Sequence, residues 1–311
     1  MLFVAMVNFY NVTSVRRDFN LASPLTFISL VQILFIFVLI IFAQRAQAQG
    51  CASLPQDRSI ADGKGCLTVW SPGTHAATGK DEQNQVSPPA LVVLLHGDSG
   101  GGLAQRHLDR WAKTANILSG PNQTLVFLVR PGYRSPVGDS SGWANQHDDD
   151  YTAGNVERVA TALQNLRVRY NASKVIVVGH SGGAAITALL LGRFPSSLDG
   201  AILLGCPCDV PPWRQHRGTQ RGRQTPWPNS LNPMDVVAKI PTDKVVLAVT
   251  GSLDDNTLPV FAQAWISAVS ARGVNAKFIL APDLDHTNIL LWPGLSEQLR
   301  QTINNLTSRA P

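Results

Sequence analysis

The chain has 311 residues, 44% of them hydrophobic and 15% charged, and a formal net charge of +5. That apolar fraction excludes a disordered polypeptide, and the length suits one large domain behind a leader. The charge is mild and no basic–aromatic surface pattern accompanies it, so nucleic acid is not an expected partner.

In chain order, the first element is a leader. Residues 25–43 are almost wholly apolar, Arg16 and Arg17 precede them, and Ala46-Gln47-Ala48 follows. A basic region, an apolar core and a small-residue cleavage site make an export signal. The apolar core is long for a cleaved signal and nearly long enough to span a bilayer. Cleavage after Ala48 is one outcome; an uncleaved signal anchor in the membrane, through 25–43, is the other. Both place the remaining chain, 49–311, outside the cytoplasm, periplasmic or secreted. The four cysteines all lie beyond the leader, at Cys51, Cys66, Cys206 and Cys208. An even number in an exported protein points to disulfides. Cys51–Cys66 is the expected local pair. Cys206 and Cys208 have three fates open: a link to each other, pairing elsewhere, or free buried thiols. A metal site is not the expected reading for them, because no second Cys or His pair stands at metal spacing.

Beyond the leader, a short strand is expected around Cys66 to Trp70, and then apolar runs alternate with helical patterns. Strands are expected at 90–95, 124–129, 175–178, 201–204, 245–250 and 276–280. Helices are expected at 103–118, 155–170, 184–191, 257–271 and 295–306. The strand runs are short, β-branched and without polar alternation, which suits strands buried on both faces. Such alternation predicts an α/β fold with a mainly parallel sheet and helices on both faces. Two long loops interrupt it. The first, 131–153, is polar and ends in Asp148-Asp149-Asp150, read as a solvated approach to a helix N-terminus, with a calcium site as the alternative. The second, 209–233, carries Trp213, Trp227 and several arginines among prolines. It follows a strand, so it is read as a lid or substrate wall, with a solvated loop as the alternative.

The chemistry concentrates at loops that follow strands. Gly179-His180-Ser181-Gly182-Gly183 fits G-x-S-x-G between a buried strand and a buried helix, a turn that exposes a serine hydroxyl. A serine needs a base to remove its proton. Of seven histidines, His286 follows the last expected strand and is the candidate base. His180 is read as structural, with its ring directed into the sheet. His75, His107, His147 and His216 lie on polar stretches without strand-end context. The imidazole needs a carboxylate to fix its tautomer. Gly251-x-x-Asp254 supplies one after a strand, with Asp255 as the alternative. The oxyanion donors are expected to be the backbone amides of Gly182 and Asp98, the latter in His96-Gly97-Asp98-Ser99, with Ser99 as its alternative.

These four pieces, in the order Ser181, Asp254, His286, make the chain resemble the α/β-hydrolase superfamily over residues 91–306. Within it the chain is most similar to small esterases and to the peptidase domains of the prolyl-oligopeptidase type. A preceding propeller domain, as in the large oligopeptidases, is not expected. The resemblance implies cleavage of a carboxylic ester or peptide bond in a small substrate, through an acyl-serine and without metal or organic cofactor. An acyltransferase and a non-catalytic binding or adhesion protein are the alternatives on the same scaffold.

Overall fold

The computed structural model describes residues 51–308, apart from 52, 72–89, 122, 146, 221 and 223–225. The leader, including 25–43, and His75 lie outside the described residues. Among the described residues no helix is long and apolar enough to cross a membrane.

Two short strands, β1 (Ser59–Ala61) and β2 (Cys66–Trp70), pair antiparallel at one edge of the sheet. Then strand and helix alternate: β3 (Ala90–Leu95), α1 (Gln105–Leu118), β4 (Gln123–Leu128), α2 (Ala153–Arg169), β5 (Lys174–His180), α3 (Gly182–Arg193), β6 (Gly200–Leu204), α4 (Val210–Gln220), β7 (Val245–Gly251), α5 (Pro259–Ser270), β8 (Asn275–Ala281) and α6 (Gly294–Thr307). The eight-stranded sheet has the order β1-β2-β4-β3-β5-β6-β7-β8. Strands β3 to β8 run parallel, and β2 meets β4 antiparallel.

The strands are apolar throughout because both faces are covered. In β3, Leu91, Val93 and Leu95 face one core layer, with Val159 and Leu163 of α2, Leu189 of α3 and Trp265 of α5. The intervening Val92 and Leu94 face the other, with Leu108 and Trp111 of α1 and Leu295 and Leu299 of α6. This period-2 division gives each face its own helices. Helix α3 is buried from Gly182 to Gly192, which explains why its sequence has no polar face.

The order of the strands places the site. From β3 the chain moves one way to β4, then crosses back to β5 on the other side of β3. The loops leaving β3 and β5 therefore part at their carboxyl ends and leave a crevice there.

The second insertion is not a loop throughout. Its first half is helix α4, with Pro211 and Pro212 in the opening turn. Proline is tolerated there because those amides have no partner within the helix. The prolines hid the helix from the sequence pattern.

Both cysteine pairs are joined, Cys51–Cys66 and Cys206–Cys208, and no cysteine is free. Denatured without reductant, the protein is therefore expected to take up no iodoacetamide. Alkylation of any cysteine under those conditions, read by mass spectrometry, would contradict the pairing.

Candidate active site

Strand β5 ends at His180 and α3 begins at Gly182. Ser181, between them, has φ 52° and ψ −121°. A serine held there carries backbone strain of about 1–3 kcal/mol. The missing side chains around it make the turn feasible. A Cβ on Gly179 would lie 2.5 Å from the Gly183 carbonyl oxygen, and one on Gly183 would lie 2.2 Å from that of Leu95. The turn is tied down by Ser181 N donating to Leu204 O at 2.8 Å and by Ala184 N donating to Ser181 O at 2.8 Å.

The loop after β8 brings His286 to the same place. Its Nδ1 lies 2.8 Å from Asp254 Oδ2 and 3.0 Å from Thr257 Oγ1. Asp254, on the loop after β7, also accepts from the amides of Asn256 at 3.0 Å and Thr257 at 2.8 Å, and from the Thr257 hydroxyl at 2.7 Å. Burial pushes the Asp254 carboxyl up. The hydrogen bonds and the charge of His286, with those of Thr257, outweigh it and hold the pKa below the ordinary value. An ionised Asp254 keeps the imidazole proton on Nδ1 and leaves Nε2 as the basic nitrogen. Asp255 is exposed, and its carbonyl accepts from His216 Nε2. Of the two aspartates, the structure brings only Asp254 to His286.

His180 differs from its expected place. Its ring lines the cavity rather than entering the sheet, and Nε2 donates to the His286 carbonyl oxygen at 2.7 Å. Burial and the neighbouring His286 lower its pKa to about 3, so it is a neutral prop under the His286 loop. Gly205, at the end of β6, completes the support. Its φ is +53°, and a Cβ there would stand 3.0 Å from His286 Nδ1 and 3.1 Å from Asp254 Oδ2. Neither Thr257 nor Gly205 stood out in the sequence.

The turn after β3 packs directly on the serine. A Cβ on Gly97 would lie 2.9 Å from Ser181 Cβ, and one on Gly182 would lie 2.0 Å from Asp98 Oδ1. The Asp98 carboxylate accepts from Arg130 Nη1 at 2.8 Å and from the Tyr151 hydroxyl at 2.5 Å. Arg130, at the end of β4, is 1% exposed and also pairs with Asp150. Its backbone amide donates to His96 Nε2 at 3.0 Å, which fixes the His96 proton on Nδ1, facing Gly97 O. Burial, then Arg130, hold His96 well below its ordinary pKa and so neutral.

The aspartate run is a correction to the sequence reading. Asp149 and Asp150 are buried, not solvated. Asp150 meets Arg130, Asp149 accepts from Asn229 Nδ2 at 2.9 Å, and Asp148 accepts from Gly100 N at 2.7 Å. Burial lifts Asp150 to about 7 against the pull of Arg130. The run braces the turn that carries Asp98, and Thr152 caps α2 instead.

Ser181 and His286 open onto one cavity of about 350 Å³. One wall is α1, with His107, Arg110 and Trp111; another is α4, with Trp213, Arg214 and Arg217. Trp227, from the remainder of the insertion, stands 5.1 Å edge-on from Trp213, and the Arg214 guanidinium lies 4.3 Å over its ring. Trp213 Nε1 donates to Asn256 O at 3.0 Å, which joins this wall to the Asp254 loop. His107 and Arg110 were not singled out in the sequence as cavity residues, because nothing in α1 marks which face meets the crevice.

Similarities to known proteins fit this geometry. A family profile described as alpha/beta hydrolase fold matches residues 90–227. No curated protein matches the sequence significantly. Among solved structures, an esterase of Pyrococcus furiosus aligns with TM-score 0.57 and 13% identity, covering 81% of this chain and 91% of its own. A proline iminopeptidase of Mycobacterium smegmatis aligns with TM-score 0.57 and 14% identity, covering 81% and 99%. A Butyrivibrio proteoclasticus protein with bound ferulic acid aligns with TM-score 0.56 and 15% identity, covering 81% and 99%. At such identities the likeness is one of fold.

Proposed function

We propose that this chain, a member of the α/β-hydrolase superfamily, is an exported serine hydrolase of carboxylic ester or amide bonds. The observation that carries the reading is the convergence of Ser181, on its strained turn, with the Asp254-held His286 on one cavity. His286 Nε2 takes the proton of Ser181 Oγ as that oxygen attacks the substrate carbonyl. The backbone amides of Asp98 and Gly182 stabilise the tetrahedral oxyanion, the second with help from the α3 dipole. His286 then gives its proton to the leaving group, and a water activated by the same nitrogen releases the acyl group. A carboxylate beside an oxyanion site opposes this step, and the buried Arg130 offsets the charge of Asp98. Helix α4 and Trp227 serve as the substrate wall. Export through 25–43 is part of the reading, and the two disulfides support it because such links persist in oxidising compartments.

Turnover of a panel of 4-nitrophenyl esters and peptide anilides by the purified mature chain tests the activity. Hydrolysis of at least one, dependent on Ser181, is expected; a chain inert to the whole panel would count against it.

The support under His286 gives a sharper expectation. In Gly205→Ala the new methyl group displaces His286 or Asp254. A misplacement of about 1 Å at a reacting group costs about a hundred-fold in rate, so this smaller shift is expected to lower kcat by about ten-fold. The positive φ adds a loss of about 1 kcal/mol in stability. Kinetics and urea unfolding read the two effects separately, and an unchanged kcat would show that the base does not depend on this contact.

A further inference from the structure

We propose that the Cys206–Cys208 disulfide is a positioning link for the catalytic base, holding the end of β6 against His286 and Asp254. This rests on the serine-hydrolase reading.

The link stands where the nucleophile, the base and the cavity wall meet. Just before it, β6 ends in Leu204, whose carbonyl oxygen accepts from Ser181 N at 2.8 Å. Gly205 follows, and a Cβ there would stand 3.0 Å from His286 Nδ1 and 3.1 Å from Asp254 Oδ2. Just after the link, the chain is tied to Asn232. The Asp209 carboxylate accepts from Asn232 Nδ2 at 3.0 Å, and Val210 N donates to Asn232 Oδ1 at 3.0 Å. Further along α4, Trp213 Nε1 donates to Asn256 O, on the Asp254 loop. The backbone from Leu204 to Trp213 therefore clasps the Asp254–His286 pair, and the disulfide closes the turn in its middle.

So small a ring contributes little to global stability. A disulfide stabilises chiefly by restricting the unfolded chain, and more so for longer loops. Cys206 and Cys208 are separated by 2 positions, against 15 for Cys51 and Cys66. What this link restricts is local, the turn from β6 into α4. Cys206 is 1% and Cys208 0% exposed, in the core layer that also holds Ala184 and Ala185 of α3 and Trp265 of α5. The core thus grips the link on one side, and the link carries Gly205 on the other. Glycine has the widest backbone freedom, so Gly205 depends on its neighbours to stay under the base. Without the bond between the sulfurs that turn gains freedom. A base displaced by a fraction of an ångström loses rate while the fold persists.

The test breaks the link in three ways: Cys206→Ala, Cys208→Ala and the two together. Each single variant keeps one sulfur in the core, so the three share only the lost bond. All three are expected to keep the wild-type circular dichroism. In each, kcat for the 4-nitrophenyl ester or peptide anilide that the wild type cleaves fastest should fall about ten-fold, with KM little changed. Fluorophosphonate labelling of Ser181, which needs the base but no bound substrate, should slow about as much. The double variant Cys51→Ala, Cys66→Ala, which removes the link at the sheet edge, should leave kcat and labelling unchanged. Wild-type kcat and labelling in the single variants, loss of fold in them, or an equal fall in kcat without Cys51–Cys66 would overturn this inference alone. If the wild type cleaves no ester or anilide and Ser181 does not react with the probe, the hydrolase reading falls and this inference with it.

Discussion

Ser181→Ala is expected to lower kcat by about a million-fold, the loss typical when a triad nucleophile is removed. The folded structure should survive, because the serine hydroxyl supports no element of the core. A companion variant separates chemistry from strain. Ser181 holds φ 52° in a region that glycine occupies freely. Ser181→Gly should therefore be as inactive as Ser181→Ala and more stable than the wild type by about 1 kcal/mol. Urea midpoints of the three proteins measure this. A glycine variant less stable than the wild type would show that the turn is not strained by the serine.

The second large effect is expected at Asp254. Asparagine in its place would donate to His286 Nδ1 and move the proton to Nε2, the nitrogen that must act as base. The loss expected is about ten-thousand-fold in kcat with little change in KM. Asp255→Asn should change kcat little, since that carboxylate is exposed and its backbone, not its side chain, meets His216. Equal losses in the two variants would contradict the assignment. The same residue leaves a mark on stability. Its folded pKa lies below the ordinary 3.8. Its ionisation therefore favours the folded state fully above the unfolded value, and the contribution is lost as pH falls through the lower folded value. Asp254→Asn should lose that part of the acid sensitivity.

The sheet was legible because burial on both faces leaves a plain signature. The runs at 90–95 and 245–250 differ by at most one residue from β3 and β7. Ser181, Asp254 and His286 were legible for a related reason: each follows a strand, and the carboxyl ends of parallel strands converge. What the sequence hid depends on partners distant along the chain. Asp148 to Asp150 look like a solvated run until Arg130, from the end of β4, is set among them. Gly205 looks like any turn glycine, and only the approach of His286 and Asp254 gives it a reason. Helix α4 was concealed by prolines that a first turn tolerates. His180 was placed in the sheet because it closes an apolar run, yet it is the last residue of β5 and its ring reaches the His286 loop.

The central claim is that Ser181 is a nucleophile activated by His286. A fluorophosphonate probe, with the modified site located by peptide mass spectrometry, tests it most directly. The account predicts one adduct, on Ser181, formed rapidly in the wild type and at least about a hundred-fold more slowly in His286→Ala. An adduct on another residue, or equal labelling of Ser181 with and without His286, would contradict it.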